Sequence, residues 1–248
     1  MLAAGLTDVG LSRKQNQDAI FVSAEPIGPL PNLFIVADGM GGHKAGDVAS
    51  RRAIEVICDC VQSFRMPELV QPENYLDLLI YGTQQANDAI YHEGLMSPDK
   101  RGMGTTLTLC VVNSKRIFFV HIGDSRGYRF ADGRLEQITT DHTYVEELLK
   151  SKKITKEEAL AHPQRHMVTK VLGMQGPCEA DGLIVKKDGT KTVLLCSDGL
   201  SNMIDFDTLQ IAAGGLAAPA MRAKSLVGEA NKKGGHDNIS VIIIDLKR

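Results

Sequence analysis

The 248-residue sequence contains no tryptophan, and aromatic residues make up only 5% of it. It also lacks a long hydrophobic run. Its longest nearly pure apolar stretch, residues 239–246, falls far short of the roughly 20 residues that a membrane-spanning helix needs. The first ten residues, MLAAGLTDVG, contain neither a basic segment nor a long apolar one, so we expect no signal peptide.

An excess of positive charge is also missing. Lysine and arginine number 28 against 30 aspartates and glutamates, which gives a formal net charge of −2. Proteins that bind nucleic acid or anionic membranes usually carry a basic surface, so neither partner is expected. Hydrophobic residues at 43% and charged residues at 23% are ordinary for a globular protein and exclude a disordered, collagenous or coiled-coil chain.

Cysteine is scarce, and its count of five is odd. A disulfide framework is therefore not predicted, and we expect free thiols in a reducing compartment, the cytoplasm. Cys58 and Cys60 lack a second pair that would complete a metal clip, so we interpret them as ordinary helix residues. His162 and His166 lie four residues apart, but the intervening Pro163 argues against a helix that presents both to zinc.

No linker, repeat or low-complexity segment divides the chain, so we predict one domain over residues 1–248. Strands are predicted where apolar runs are bounded by Gly, Asp or Asn, at residues 32–37, 105–112, 116–122, 192–196 and 239–246. Helices are predicted by a spacing near 3.6 residues at 45–64, 74–93 and 217–231. Because strands and helices do not alternate strictly, an α+β fold with a mainly antiparallel sandwich is favoured over a parallel sheet.

Residues 144–161 are rich in lysine and glutamate and differ from their surroundings. Thr155 followed three residues later by Glu158 predicts a capped helix start, and His162-Pro163 would end that helix. We interpret the segment as a small helical insertion on the surface.

Five Asp-Gly pairs occur, and this dipeptide is a common hairpin-turn signal. Those at Asp132, Asp181 and Asp188 are interpreted as turns. Asp38 and Asp198 differ, because each ends an apolar, strand-like run and no partner strand follows it. A carboxylate at the end of a buried strand is costly unless it is paired or bound to a metal.

Three further aspartates lie at predicted strand ends: Asp18, Asp124 and Asp237. Five carboxylates from separate chain positions suggest one acidic cluster, and clusters of oxygen ligands suit Mg²⁺ or Mn²⁺. From the spacing alone, a metal site and ordinary strand ends remain equally open.

The glycine-rich segment 39–46 joins a predicted strand to a predicted helix. It lacks the Gly-Lys-Ser/Thr ending of a P-loop, and Lys44 occupies the third glycine position of the dinucleotide fingerprint. We interpret its glycines as allowing the backbone to approach the metal site closely. Ser201 stands outside a G-x-S-x-G motif, so a serine hydrolase is not predicted.

Eight short motifs together resemble those of one family, the metal-dependent Ser/Thr protein phosphatases (the PPM family, type 2C), in its compact bacterial branch. The motifs follow in order at residues 13–18, 36–46, 104–106, 121–126, 140–142, 171–173, 195–199 and 235–238. The resemblance runs from about residue 5 to 246. It implies two packed antiparallel β-sheets flanked by pairs of antiparallel helices, a four-layer α-β-β-α sandwich, with a small helical flap at about residues 143–165 beside the site.

The resemblance also implies a set of site residues and their cofactors, two Mn²⁺ or Mg²⁺ ions and a weaker third. By position in the motifs, Asp38 would bridge the two principal ions, and Asp198 and Asp237 would hold the first of them. The Gly39 carbonyl would bind the second ion, and Asp18 would reach that ion through water. Asp124, with Asp198, would hold the third ion, and Arg13 would bind phosphate. Met40 stands where animal members carry histidine, so the proton donor to the leaving group stays open, with a metal-bound water as our first choice.

The activity that the resemblance implies is hydrolysis of phosphoserine and phosphothreonine by direct attack of water. The expected partners are phosphorylated proteins, among them a cognate bacterial Ser/Thr kinase and its substrates, and the chain is expected to be a cytoplasmic monomer. One alternative is a non-catalytic binding module, although none of the five carboxylates is missing. Another is a partner-switching phosphatase that acts on one small regulator of a sigma factor, and the flap-like segment argues against it.

Overall fold

The computed structural model describes residues 1–41, 45–64 and 74–246. Its strands are β1 (Leu2–Asp8), β2 (Asp18–Ser23), β3 (Leu33–Met40), β4 (Gly104–Thr105), β5 (Leu107–Val112), β6 (Arg116–Ile122), β7 (Arg126–Ala131), β8 (Arg134–Gln137), β9 (Asp181–Lys186), β10 (Thr190–Cys196) and β11 (Ile239–Asp245). Its α-helices are α1 (Ala45–Gln62), α2 (Tyr75–Met96), α3 (Tyr144–Lys150), α4 (Lys156–Ala161), α5 (Asp198–Ser201), α6 (Phe206–Gly214) and α7 (Pro219–Lys232). Residues 42–44 of the glycine-rich segment lie outside the described residues.

The strands form two sheets with antiparallel pairing between neighbours. One sheet has the order β1-β11-β10-β7-β8, and the other has the order β2-β3-β5-β6-β9, with β4 paired to β3. The first and last strands of the described chain are direct neighbours, since Leu2 pairs with Asp245 and Asp8 with Ile239. The predicted mainly antiparallel architecture is confirmed.

Three apolar layers hold four layers of secondary structure together. Strand β6 shows how: Phe119 points into the layer between the sheets, while its neighbour Phe118 points into the layer beneath α1 and α2. The third layer lies beneath α6 and α7, where Leu226 packs with Ile243. Because successive strand residues face opposite sides, a strand with a layer on each side needs apolar residues throughout. The predicted α-β-β-α sandwich is confirmed.

The helix predictions are confirmed in type and nearly in extent for α1, α2 and α7. Helix α6 and strands β1 and β9 were not predicted from the sequence. Side chains along β9 alternate between exposed and half-buried, so the strand has no fully buried face. Its apolar run, residues 183–185, is only three residues long and is shorter than the runs that predicted the other strands.

The Asp-Gly pairs give a mixed result. Asp132, at φ +51°, and Gly133, at φ +80°, form the turn between β7 and β8, as predicted. The prediction for Asp181 was wrong, because this residue begins β9 and pairs with His121 of β6. Asp188 lies in a turn as expected, but the strands that this turn joins, β9 and β10, belong to different sheets. The dipeptide reports local backbone geometry and not which strands pair.

The Lys/Glu-rich insertion forms the two short helices α3 and α4. Its predicted cap is confirmed: Glu158 N donates to Thr155 Oγ1 at 3.2 Å, and Thr155 N donates to Glu158 Oε2 at 2.7 Å. The two ends of the insertion meet, since Tyr144 N donates to Met167 O at 2.9 Å. The segment therefore leaves the sandwich and returns to it at one place, and we call residues 143–168 the flap segment.

Candidate metal centre

The five predicted aspartates lie at one end of the sandwich and come from both sheets. Asp18 and Asp38 face each other in the register of β2 and β3, and Asp124 follows β6 of the same sheet. Asp198 follows β10 and Asp237 precedes β11 in the other sheet. A cleft of about 690 Å³ opens here, and Asp38, Gly39, Asp124, Asp198 and Asp237 all line it. Asp18 is buried beside Asp38 and is not among the residues that line the cleft.

Asp18 joins the two sheets through one carboxylate oxygen. Its Oδ2 accepts hydrogen bonds from Ser197 Oγ at 2.8 Å and from Ser240 Oγ at 2.6 Å, both in the opposite sheet. Its Oδ1 is buried and has no hydrogen-bond partner. An unpartnered buried carboxylate oxygen is costly, and this one lies on the side chain that faces Asp38 across the strand pair.

Burial and mutual repulsion raise the pKa values of this cluster. Burial raises the pKa of Asp18 to about 7, against the lowering effect of its two serine hydrogen bonds. The pKa of Asp38 lies well above its usual range because of burial and the charges of Asp18, Asp198 and Asp124. Burial and the charge of Asp198 raise the pKa of Asp124 to about 7, and burial and Asp237 raise that of Asp198.

These observations fit a site for divalent cations. Beyond burial, the charges of Asp18, Asp198 and Asp124 raise the pKa of Asp38, and a divalent cation would offset this repulsion between carboxylates. The orphaned Oδ1 of Asp18 supplies a further oxygen, and all the donors are oxygens, as hard ions such as Mn²⁺ and Mg²⁺ prefer. Among the described residues, no three His, Cys, Asp or Glu side chains form a complete set that could hold one ion. Ions here would therefore share carboxylates and retain water ligands, as Mg²⁺ usually does.

Gly39 lets the end of β3 pass very close to the start of α1. A Cβ atom at this position would collide with the backbone oxygen of Gly46 and would lie 2.6 Å from the backbone oxygen of Gln17. Any larger residue would push the strand away from both. Gly39 is therefore required for the close approach of the backbone to helix α1 and to the segment before β2, while the predicted approach to the metal site stays a prediction.

Arg13 lies on the rim of the cleft, where its Nη2 donates to Asp237 Oδ2 at 2.8 Å. Its loop is held from the opposite end of the chain. Asn238 Nδ2 donates to the carbonyl oxygens of Val9 and Gln15 at 2.9 and 3.0 Å. The residue pair Asp237-Asn238 therefore supplies a site carboxylate and also positions the arginine beside it. The hydrogen bond and charge of Asp237 raise the pKa of Arg13 above its usual value.

The structure adds residues to the cleft to which the sequence analysis assigned no role. They are Gln17, Thr106, Arg165, His166, Val168, Asn202, Met203 and His236. The sequence analysis argued against a zinc pair of His162 and His166. In the structure His162 caps the end of α4, and its ring centroid lies 5.9 Å from that of Tyr144. Arg165 and His166 come from the end of the flap segment. Their position depends on the return of that segment to the sandwich, which leaves no local sequence signal.

A family model described as Protein phosphatase 2C matches residues 12–224. The chain belongs to this family. Among the curated relatives of this protein phosphatase 2C is "Serine/threonine phosphatase stp" of Listeria welshimeri. It is 35% identical over 241 residues, which span 96% of this chain and 93% of the relative.

Solved structures of the family share the fold. The crystal structure of the serine/threonine phosphatase PstP/Ppp of Mycobacterium tuberculosis is 36% identical to this protein phosphatase 2C, with a TM-score of 0.86, and 99% of this chain and 98% of that chain are covered. A structure of the catalytic domain of PstP in complex with two manganese ions is 34% identical, with a TM-score of 0.81 and coverage of 98% and 96%. The resemblance stated from the motifs is confirmed, and Mn²⁺ or Mg²⁺ dependence follows with it.

Proposed function

We propose that this protein phosphatase 2C hydrolyses phosphoserine and phosphothreonine in proteins, with water as the nucleophile and the aspartate cluster as the holder of divalent cations. The observation that carries the proposal is the convergence of carboxylates from both sheets in one cleft that also contains Arg13. Membership of the family and relatives named serine/threonine phosphatases support this activity.

The ligand assignment is the one that the motif resemblance implies, and the convergence of most of these residues in one cleft supports it. Asp38 would contact both principal ions, Asp198 and Asp237 the first, and the Gly39 carbonyl the second. Asp18 would act through water from its buried position, using the Oδ1 atom that has no protein partner. Asp124 and Asp198 would hold a weaker third ion, in keeping with the effect of Asp198 on the pKa of Asp124.

The residues of the chain have distinct tasks in such a reaction. When bound, divalent cations supply Lewis acidity that makes water nucleophilic at neutral pH. The four carboxylates of Asp18, Asp38, Asp198 and Asp237 carry four negative charges when ionised, so in the absence of cations they repel a phosphate dianion. Arg13 offers a planar fork of N–H donors that matches two phosphoryl oxygens. A phosphate that binds Arg13 would compete with the ion pair to Asp237.

The leaving alkoxide of serine or threonine needs a proton, and Met40, which lines the cleft, cannot supply one. Water held in the cleft remains our first proposal for the donor. Two imidazoles, His166 and His236, line the same cleft, and imidazole is the side chain that most often transfers protons in enzymes. They are the next candidates among the described residues.

Hydrolysis of a phosphothreonine peptide, with and without Mn²⁺, tests the proposed activity directly. We expect phosphate release that requires Mn²⁺ or Mg²⁺ and stops when a chelator is added in excess. A zinc-free buffer and a matched phosphotyrosine peptide serve as controls for contaminating phosphatases. Equal turnover in the chelated and metal-supplied enzyme, or no turnover on any phosphoserine or phosphothreonine peptide, would contradict the proposal.

Arg13→Ala is expected to raise KM for a phosphopeptide about tenfold and to lower kcat by a similar factor. An arginine that contacts the phosphoryl group in both the ground and the transition state produces this mixed effect. Arg13→Lys is the matched variant, and it should recover only part of the loss because an ammonium cannot make two parallel bonds. If both KM and kcat of the alanine variant equal those of the wild type, Arg13 has no contact with the substrate.

We further propose the setting in which this activity operates. The partners would be phosphorylated proteins, including a cognate Ser/Thr kinase and its substrates, and the enzyme would act as a cytoplasmic monomer whose residues 1–248 form one catalytic domain. In the described part of the chain, no helix combines the length and the apolar character that crossing a membrane requires. Relatives named Ser/Thr phosphatases support phosphoproteins as the substrate class.

A further inference from the structure

His142 belongs to the motif Thr140-Asp141-His142, to which the proposed function assigns no task. Its side chain is only 6% exposed, and it lies where the chain enters the flap segment. It makes two hydrogen bonds to one residue, Gly123. His142 N donates to Gly123 O at 2.7 Å, and Gly123 N donates to His142 Nδ1 at 3.1 Å. His142 therefore fixes both peptide groups of the residue that precedes Asp124.

The backbone at Gly123 determines the direction in which Asp124 leaves strand β6. Gly123 has φ +106°, a conformation that other residues rarely adopt, and a Cβ here would lie 2.6 Å from the Thr106 side chain. Asp124 follows directly, is 8% exposed, and lines the cleft. A change of a few tens of degrees at Gly123 would move the Asp124 carboxylate out of its place beside Asp198.

The imidazole of His142 is itself held from three sides. Its Nε2 lies 3.3 Å from Asp181 Oδ2, and its ring stacks on the fully buried ring of His121, with centroids 5.0 Å apart. His121 is in turn fixed by hydrogen bonds to Thr108 Oγ1 and Thr140 O. Because Gly123 N–H can only donate, Nδ1 must be the acceptor, and the ring proton resides on Nε2 toward Asp181. The ring thus has one orientation and one tautomer.

The same residue closes the base of the flap segment. His142 O accepts a hydrogen bond from Thr169 N at 2.8 Å, and the next residue, Thr143, pairs with Val168. Val168, Arg165 and His166 of this segment line the cleft. The backbone N and the Nδ1 of His142 are therefore hydrogen-bonded to Gly123, which precedes Asp124, and the carbonyl oxygen of His142 is hydrogen-bonded to Thr169, just after the flap segment.

We propose that His142 is a positioning residue: its Nδ1 holds the Gly123 amide, sets the Asp124 carboxylate for the third ion, and links that carboxylate to the base of the flap segment. The inference rests on the role given to Asp124 in the proposed function. This positioning role depends on the hydrogen-bond acceptor at Nδ1, whereas a residue that only fills space would not depend on that atom. Loss of a group that orients a metal ligand typically costs 10- to 100-fold in metal affinity or activity.

Two variants separate the bonds that the ring makes. His142→Asn places an amide oxygen near the position of Nδ1, so it keeps an acceptor for Gly123 N–H but is too short to reach Asp181. His142→Gln extends its amide toward Asp181 and leaves no hydrogen-bond acceptor at the Nδ1 position. We expect kcat on a phosphothreonine peptide to fall about 10- to 100-fold in His142→Gln and to stay within about threefold of the wild type in His142→Asn. Asp181→Ala, which removes only the outer bond, should likewise stay within about threefold of the wild type.

A second measurement uses the metal-free full-length protein, so that it does not depend on turnover. The Gly123 amide should be protected from hydrogen exchange in the wild type and in His142→Asn, and it should exchange fast in His142→Gln.

Calorimetry with Mn²⁺ should show weaker binding of the third ion in His142→Gln, with the two principal ions retained. In the wild type, ¹⁵N shifts of the His142 ring should show the proton on Nε2, a test that needs no variant to fold.

Three results would overturn the inference. One is a wild-type His142 ring with its proton on Nδ1. Another is equal loss of kcat in His142→Asn and His142→Gln, in proportion to their loss of thermal stability, which is the behaviour of a packing residue. The third is unchanged kcat in His142→Gln while Asp124→Ala is impaired. If Asp124→Ala itself is unimpaired, the role proposed for Asp124 fails, and the inference fails with it.

Discussion

Replacement of Asp38 by Asn is expected to abolish Mn²⁺-dependent hydrolysis, with kcat lowered about a thousandfold or more, while the fold is retained. Burial and the charges of Asp18, Asp198 and Asp124 raise the pKa of Asp38, so this carboxylate interacts with three others of the cluster. In the proposed arrangement it contacts both principal ions, so its loss affects both. Loss of about 4 kcal/mol of transition-state stabilisation corresponds to the expected thousandfold effect, at 1.36 kcal/mol for each factor of ten.

The same substitution is expected to stabilise the metal-free protein, and increasingly so as the pH rises. A carboxyl group whose pKa is higher in the folded than in the unfolded state stabilises the fold below the unfolded value, near pH 4, and this contribution is lost as the pH rises through the folded value. The amide side chain of the Asp38→Asn variant cannot ionise, so the variant does not lose stability at this position as the pH rises. Thermal melts in chelator between pH 4.5 and 8 should therefore show a gap in Tm that widens with pH.

Asp59→Asn provides the matched control, because it removes the same charge from an exposed position on α1. It should leave both kcat and the pH dependence of Tm close to those of the wild type. Excess Mn²⁺ should reverse the order of stabilities, since only the wild type binds the ions tightly and binding to the folded state raises Tm. Turnover near that of the wild type in Asp38→Asn would refute the assignment of two ions to this cluster.

Asp124→Ala is expected to lower kcat about a hundredfold while two ions remain bound. Asp124 lines the cleft, and the charge of Asp198 is, after burial, the next contribution to its raised pKa of about 7. A third ion between these carboxylates would position water or a proton donor for the leaving group, a task that Met40 cannot perform. Removal of one group that orients or stabilises charge at the reacting atoms typically costs two to three orders of magnitude.

Metal counting distinguishes this role from its alternative, a strand-end cap that bonds backbone N–H groups. Calorimetric titration with Mn²⁺ should show that the two tighter ions persist in Asp124→Ala and that the weaker one is lost. Asp124→Asn is the control for a cap, because an amide oxygen still accepts from the backbone but binds a cation poorly. If Asp124→Asn restores kcat, or if three ions bind the alanine variant tightly, the carboxylate has no part in a third site.

The acidic cluster could be predicted from the sequence because each of its members lies in a strand or within two residues of one. Asp38 and Asp198 follow runs that are apolar on both faces, and such runs identify buried strands whatever their partners. Asp181 shows the limit of this reasoning. Its Asp-Gly sequence favours a turn, but pairing with His121, sixty residues earlier in the chain, places it in a strand. The conformational preference of a short segment does not show that it pairs with a strand sixty residues away.

The rest of the site depends on contacts that no short segment encodes. Arg165 and His166 reach the cleft because Tyr144 N bonds Met167 O and returns the flap segment to the sandwich. His142 was visible only as part of a motif, and its relation to Gly123 emerges from two hydrogen bonds across nineteen residues. Sequence reasoning therefore predicted the proposed ligands of the ions but not the residues that we propose to orient them.

The pairing of β1 with β11 has a consequence for the synthesis of the enzyme. Strand β11 lies between β1 and β10 in its sheet, and Asp237 lies two residues before its first residue, Ile239. While a ribosome is still making the preceding part of the chain, β1 has no neighbour in that sheet, and the cluster lacks one of its carboxylates. Pairing between such distant segments forms late because of its loop-closure cost. Closure of this sheet and completion of the proposed metal centre therefore coincide, because both need the segment that contains Asp237 and β11.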